Sequence, residues 1–107
     1  MSIDEDVFLS VFEAGRLAPS AKNRQEWRFI VVRDGEVRRI GEAANGQSFV
    51  GEAPVVIVAC GVVDGYVMSC GQPSYPLDVA IALDHISLAA VEVGLGTCWI
   101  GAFNEKI

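Results

Sequence analysis

Apolar positions recur at helical spacing through the first stretch of the chain, where Val7, Phe8, Val11, Phe12 and Leu17 share a face. Asp4, Glu5 and Asp6 precede them, as the positive end of a helix favours, and Ser2 or Asp4 can cap it. A helix is predicted over Asp4 to Leu17. Pro19 must end it, because proline lacks the N–H and its ring clashes with the preceding turn. The pattern then becomes aromatic and β-branched from Trp27 to Val32, a strand closed by the turn Arg33-Asp34-Gly35. Glu36 to Ala44 reads as a surface helix with Val37, Ile40 and Ala44 on one face, closed by Asn45-Gly46. Pro54 opens Val55-Val56-Ile57-Val58-Ala59-Cys60, a run without alternation that predicts a central strand covered on both sides.

Asp64 to Tyr75, with Gly65, Gly71 and Pro73, reads as a loop, and Pro76 starts a helix from Leu77 to Val93 that Gly94 terminates. That helix is apolar on most sides, which predicts burial nearly all round. Asp78, His85 and Glu92 recur every seventh residue and form one narrow polar stripe. A hydrogen-bonded seam or a helix contact across a dimer explains the stripe better than a catalytic row, so His85 is left out of the chemistry. Cys98 to Phe103 predicts a last strand. No repeat or linker interrupts the 107 residues, and a single domain over residues 1–107 is expected.

Composition narrows the function. Hydrophobic residues make up 51% of the chain, high for a short soluble protein, which points to apolar surface covered by a partner subunit. A net charge of −6, with no basic cluster beyond Arg38-Arg39, argues against nucleic acid and anionic membranes. The apolar run Ala53 to Val63 is about half of the ~20 residues a membrane helix needs. The acidic N-terminus lacks the plan of a signal peptide, so a cytoplasmic protein is expected. Three cysteines, Cys60, Cys70 and Cys98, without Cys-x-x-Cys spacing and with a single His, support neither a disulfide framework nor a metal site.

Ala18-Pro19-Ser20-Ala21-Lys22-Asn23-Arg24-Gln25-Glu26-Trp27-Arg28 is where helix changes to strand, and the stretch most suited to a ligand. Ser20, Asn23 and Gln25 offer uncharged donors and acceptors that match the edge of a heteroaromatic ring, although a solvated turn has the same composition. Gly94-Leu95-Gly96-Thr97-Cys98-Trp99-Ile100-Gly101 leaves a helix and enters a strand, the reverse of a dinucleotide fingerprint. The carboxylate pairs Asp4/Asp6 and Glu42/Glu52 lie in polar surface contexts. No Ser or Cys carries a nucleophile signature, so no catalytic side chain is assigned, and a cofactor would supply the chemistry of an enzyme built on this chain.

Three stretches together resemble the nitroreductase family of FMN enzymes: Ala18 to Val32, Gln47-Ser48-Phe49-Val50-Gly51-Glu52-Ala53-Pro54-Val55-Val56, and Leu88-Ala89-Ala90 leading to Gly94 through Phe103. The resemblance implies an α+β fold, a mixed central sheet flanked by helices, and an intertwined homodimer with the long helix buried in its core. It implies FMN contacts from Pro19, Ser20, Asn23 and Gln25, a pyrimidine-edge contact from Gln47, and backbone passing the flavin at Ile100 and Gly101. Hydride would come from NAD(P)H and pass to a small-molecule acceptor such as a nitroaromatic or a quinone.

Departures from the family pattern accompany the match. The family's Arg-x-Ser-x-Arg phosphate grip would lie before Met1, and a further helix and basic tail after Ile107. Their absence predicts weaker FMN binding, with Lys22 and Arg24 the nearest compensating cations. A shortened, non-catalytic binding or partner subunit, or a fragment of a longer enzyme, is the alternative. Glu26 stands where the family motif often has Pro, which puts a negative charge close to the implied site.

Overall fold

A computed structural model describes residues 3–44, 46–101 and 103. In chain order these form α1 (Glu5–Arg16), a 3-10 turn (Ala21–Asn23), β1 (Trp27–Arg33), α2 (Glu36–Ala43), α3 (Ser48–Gly51), β2 (Val55–Gly61) and α4 (Tyr75–Glu92). The architecture is α+β. Asp4 is the cap of α1, its carboxylate accepting the Asp6 N–H at 2.9 Å. The helix ends before Pro19, as the ring requires. Pro76 lies in the first turn of α4, where a missing N–H is harmless, and Gly94 follows its end.

β1 and β2 pair antiparallel, and Val62 N–H extends the pairing by donating to the Glu26 carbonyl at 2.7 Å. This sheet is smaller than the expected mixed one. Residues 98–101 and 103, expected in a third strand, are not in a strand, and Ala102 lies outside the described residues. A strand exists through its ladder, and β1 and β2 take only each other as neighbours among the described residues. For the same reason β2 is not the doubly covered central strand expected from its sequence. It is half-buried at every position.

Contacts divide the chain into two compact units. One takes Ile30–Val58 with residues 98–101 and 103, and the other takes Asp4–Phe29 and Ala59–Thr97. In the second unit, α1 lies along α4. Its core includes Phe8, Val11, Ala18, Trp27, Ala82, Ile86 and Ala90, with Phe29 and Val79 against it. Phe12 meets Phe8 and Phe29 edge-on, at ring centroid separations of 4.7 and 6.0 Å. The two helices touch closely at Gly15, where a Cβ would sit 2.8 Å from Ile86 Cγ1.

α4 departs from its expected burial. Asp78, Ala82, Ile86 and Ala90, four residues apart, form a single buried line. Leu77, Leu88 and Val91 are 55%, 63% and 69% exposed. One helix can cover only one face of another, so α4 carries more apolar surface than the described residues bury. Among the described residues no helix is long and apolar enough to cross a membrane.

In the first unit, Val37 and Ala44 bury one side of α2 and Val50 one side of α3. Gly41 makes their contact possible, since a Cβ there would stand 2.8 Å from the Gly51 backbone nitrogen. Gly41→Ala should therefore lower stability despite its better helix propensity, by about 1–2 kcal/mol net. Gly51→Ala is the control, because its Cβ would meet Arg38 Cα at an ordinary 3.7 Å. Urea unfolding that ranks the two variants equally would show that α2 and α3 do not approach this closely.

Candidate functional site

The loop between Pro19 and Glu26 is held in a conformation its sequence does not favour. Ser20 is extended, and the 3-10 turn closes through Asn23 N–H to Ser20 O at 2.9 Å and Arg24 N–H to Ala21 O at 3.1 Å. Lys22, Asn23 and Gln25 then have φ of 53°, 52° and 52°. Left-handed backbone costs a non-glycine residue about 1–2 kcal/mol, less for Asn, so surrounding contacts must hold it.

Those contacts come from several directions. Ser20 Oγ accepts the Gln25 N–H at 3.0 Å, and Arg28 Nη1 donates to the Gln25 carbonyl at 3.3 Å. From α4, Asp78 Oδ1 accepts the Ala21 N–H at 3.2 Å. From the segment after β2, Asp64 pairs with the Arg24 guanidinium. The Tyr66 ring lies 4.3 Å from Arg24 Cζ and 5.1 Å from Lys22 Nζ. The Tyr66 N–H and then Arg24 hold the Asp64 carboxyl below the usual carboxylate range. Asp64 to Ser74 is the expected loop, and it contains a turn in which Met68 N–H donates to Gln72 O at 2.8 Å and Val67 bridges Pro73.

The pinned loop presents Pro19, Asn23 and Gln25 to solvent, with Ser20 half-buried. Among the described residues the Asn23 and Gln25 side-chain amides bond to no protein group, so their donors and acceptors are available to a ligand. Arg24 is not a free anion ligand, because Asp64 neutralises it. Gln47, Ile100 and Gly101 belong to the other unit. Gln47 stands at the N-cap position of α3 without a side-chain cap bond and donates through Nε2 to the Ala44 carbonyl at 3.0 Å. Ile100 is half-buried and Gly101 exposed.

Sequence reasoning missed one feature beneath the loop. Glu26 and Asp78 are buried, at 6% and 4% exposure, and their carboxyl groups face one another. Among the described residues both Glu26 oxygens and Asp78 Oδ2 lack a hydrogen-bond partner, as does Arg24 Nε. Burial, and next the neighbouring Asp78, pushes the Glu26 carboxyl above the usual range. Glu26 also lines a cavity of about 80 Å³ with Arg24, Asp64, Tyr66 and Tyr75. The available signal was a lone carboxylate before a strand and another on an apolar helix; nothing in the sequence links them.

The nitroreductase family profile matches residues 1–50 and 41–106. A provisionally named NADH dehydrogenase/NAD(P)H nitroreductase of Archaeoglobus fulgidus is 36% identical over 104 residues, covering 96% of this chain and 58% of that protein. A nitroreductase family protein of Clostridium novyi NT superposes with a TM-score of 0.88 at 35% identity, over 99% of this chain and 64% of its own. An FMN-dependent nitroreductase of Clostridium difficile R20291 superposes at 0.75 with 33% identity, over 94% and 56%. The chain spans about half the length of the curated relatives it matches.

Ser20→Ala removes the acceptor that holds the Gln25 N–H and should cost about 0.5–1 kcal/mol, a loss of a few degrees in Tm. Amide exchange at Gln25 should accelerate while exchange in α4 does not. Unchanged exchange at Gln25 would mean that Ser20 Oγ does not secure the loop.

Proposed function

This chain is a member of the nitroreductase family, and from that premise we propose that it forms part of an FMN-dependent oxidoreductase. The reaction class is hydride transfer from NAD(P)H to a nitroaromatic, quinone or similar acceptor. FMN, when bound, supplies the redox chemistry; the protein binds and orients it.

The observation that carries this reading is the loop from Pro19 to Gln25. Its backbone is strained yet pinned, and its Asn23 and Gln25 amides remain available, which fits a rigid polar rim for a heteroaromatic ring better than it fits a solvated turn. Ser20 has two tasks here, since its hydroxyl fixes the Gln25 backbone and its side chain borders the same rim. Gln47, Ile100 and Gly101 are proposed as the remaining contacts on the strength of the family motif. With Arg24 neutralised by Asp64, Lys22 is the cation this loop offers to a phosphate.

A homodimer is proposed as well. Leu77, Leu88 and Val91 leave α4 with an apolar exposed side, as a helix that completes its burial against a second subunit would have. The reading places the protein in the cytoplasm, where reduced nicotinamides are available.

The test is the visible spectrum of the purified chain after incubation with FMN and desalting. Retained absorption near ~450 nm supports the reading. Asn23→Ala and Gln25→Ala should each weaken FMN binding about 2- to 10-fold, the value of one neutral hydrogen bond. Protein that stays colourless at any FMN concentration would overturn the reading and favour a non-catalytic binding subunit.

A further inference from the structure

Two buried carboxyl groups facing one another pose a problem of donors. An ionised carboxylate only accepts hydrogen bonds, so Glu26 and Asp78 in their charged forms have nothing to offer each other. Among the described residues both Glu26 oxygens and Asp78 Oδ2 are without partners, while Asp78 Oδ1 is engaged by the Ala21 N–H at 3.2 Å. Water screens two charges poorly at 6% and 4% exposure. A proton on Glu26 resolves both difficulties, making Glu26 the donor and Asp78 the acceptor and leaving one net charge for the pair.

We propose that Glu26 carries a proton that it donates to Asp78 and that this hydrogen bond latches the Ser20–Gln25 loop to α4. While it is present, Asp78 stays in place and holds the Ala21 N–H. When the proton leaves, two like charges confront each other in a buried site and the Asp78 grip on Ala21 is lost. Glu26 and Asp78 are thus positioning residues, and the latch deepens the flavin reading only through the loop that reading invokes.

The surroundings determine how readily the proton leaves. The charged and titratable groups that line the cavity beside Glu26 are Arg24 from the loop, Asp64 and Tyr66 from the segment after β2, and Tyr75 from the start of α4. Lys22 lies beyond Tyr66. Arg24 favours the charged form of Glu26, but its charge is shared with Asp64, and burial together with Asp78 outweighs it. The cavity beside Glu26 offers the proton a route to water.

The folded chain therefore holds a proton at Glu26 more tightly than the unfolded chain does. Its contribution to stability is complete below the ordinary glutamate range and is lost as pH rises through the folded value. Glu26→Gln replaces the proton with a permanent N–H donor and should remove that loss.

Carboxyl carbon NMR of the flavin-free chain from about pH 4 to about pH 9 tests the proposal directly. Glu26 should titrate above the ordinary range. Over the same rise, Ala21 amide protection, corrected for intrinsic exchange, should fall about tenfold. In Glu26→Gln the protection should be independent of pH, and Tm should exceed that of the parent chain on the alkaline side. Ordinary titration of Glu26 would overturn the proposal, and so would pH-independent protection of Ala21 in the parent chain. The NMR titration decides even if Glu26→Gln fails to fold. Because these measurements need no FMN, a latch observed in protein that never binds flavin supports the proposal and counts only against the flavin reading. Retained FMN without the titration does the reverse.

Discussion

α1 lies against α4 because Gly15 has no side chain, and the fit brings the helices close enough for Ile86 to fill the space a Cβ would need. The same register buries Ala82 under Ala18 and Trp27, at the foot of the segment that joins α1 to β1. One turn earlier on α4, the buried line reaches Asp78, which meets the Ala21 N–H. Packing of small and branched residues thus places one carboxylate beneath one backbone amide. The conformation of the candidate ligand loop depends on that placement.

The loop illustrates how local preference yields to tertiary contacts. Lys22 and Gln25 have no intrinsic reason to adopt left-handed backbone, and each costs free energy there. Ser20, Asp78 and the Arg24–Asp64 pair over Tyr66 supply the compensation, from three separate parts of one unit. Exposed ion pairs contribute little, so the part-buried Asp78 contact is the stronger constraint. The arrangement leaves the Asn23 and Gln25 amides facing solvent on a fixed backbone, as a binding rim requires.

α4 and β2 show the limit of burial inferred from composition. Both are apolar enough to be enclosed, yet α4 buries one line of residues and β2 is half-buried throughout. Their remaining apolar surface is a property of the chain that its own fold does not use. In a nitroreductase family member a second subunit is the proposed cover.

The sequence by itself determined the approximate bounds of α1, β1, α2, β2 and α4, because these signals are local. Pro19 stops α1, Asp4 caps it, Pro76 opens α4, and the β-branched runs mark β1 and β2. It also singled out Ser20, Asn23 and Gln25, since a neutral polar cluster after a helix break is a local pattern too, and the family resemblance added Pro19, Gln47, Ile100 and Gly101 as expected contacts. Only the tertiary structure decided that Glu26 faces Asp78, that Arg24 is neutralised by Asp64, and that Cys98–Gly101 is not a strand. Each depends on which distant segment arrives beside the residue. A carboxylate reads as a solvated charge until its neighbour across the core is known, and a β-rich run becomes a strand only when another offers it hydrogen bonds.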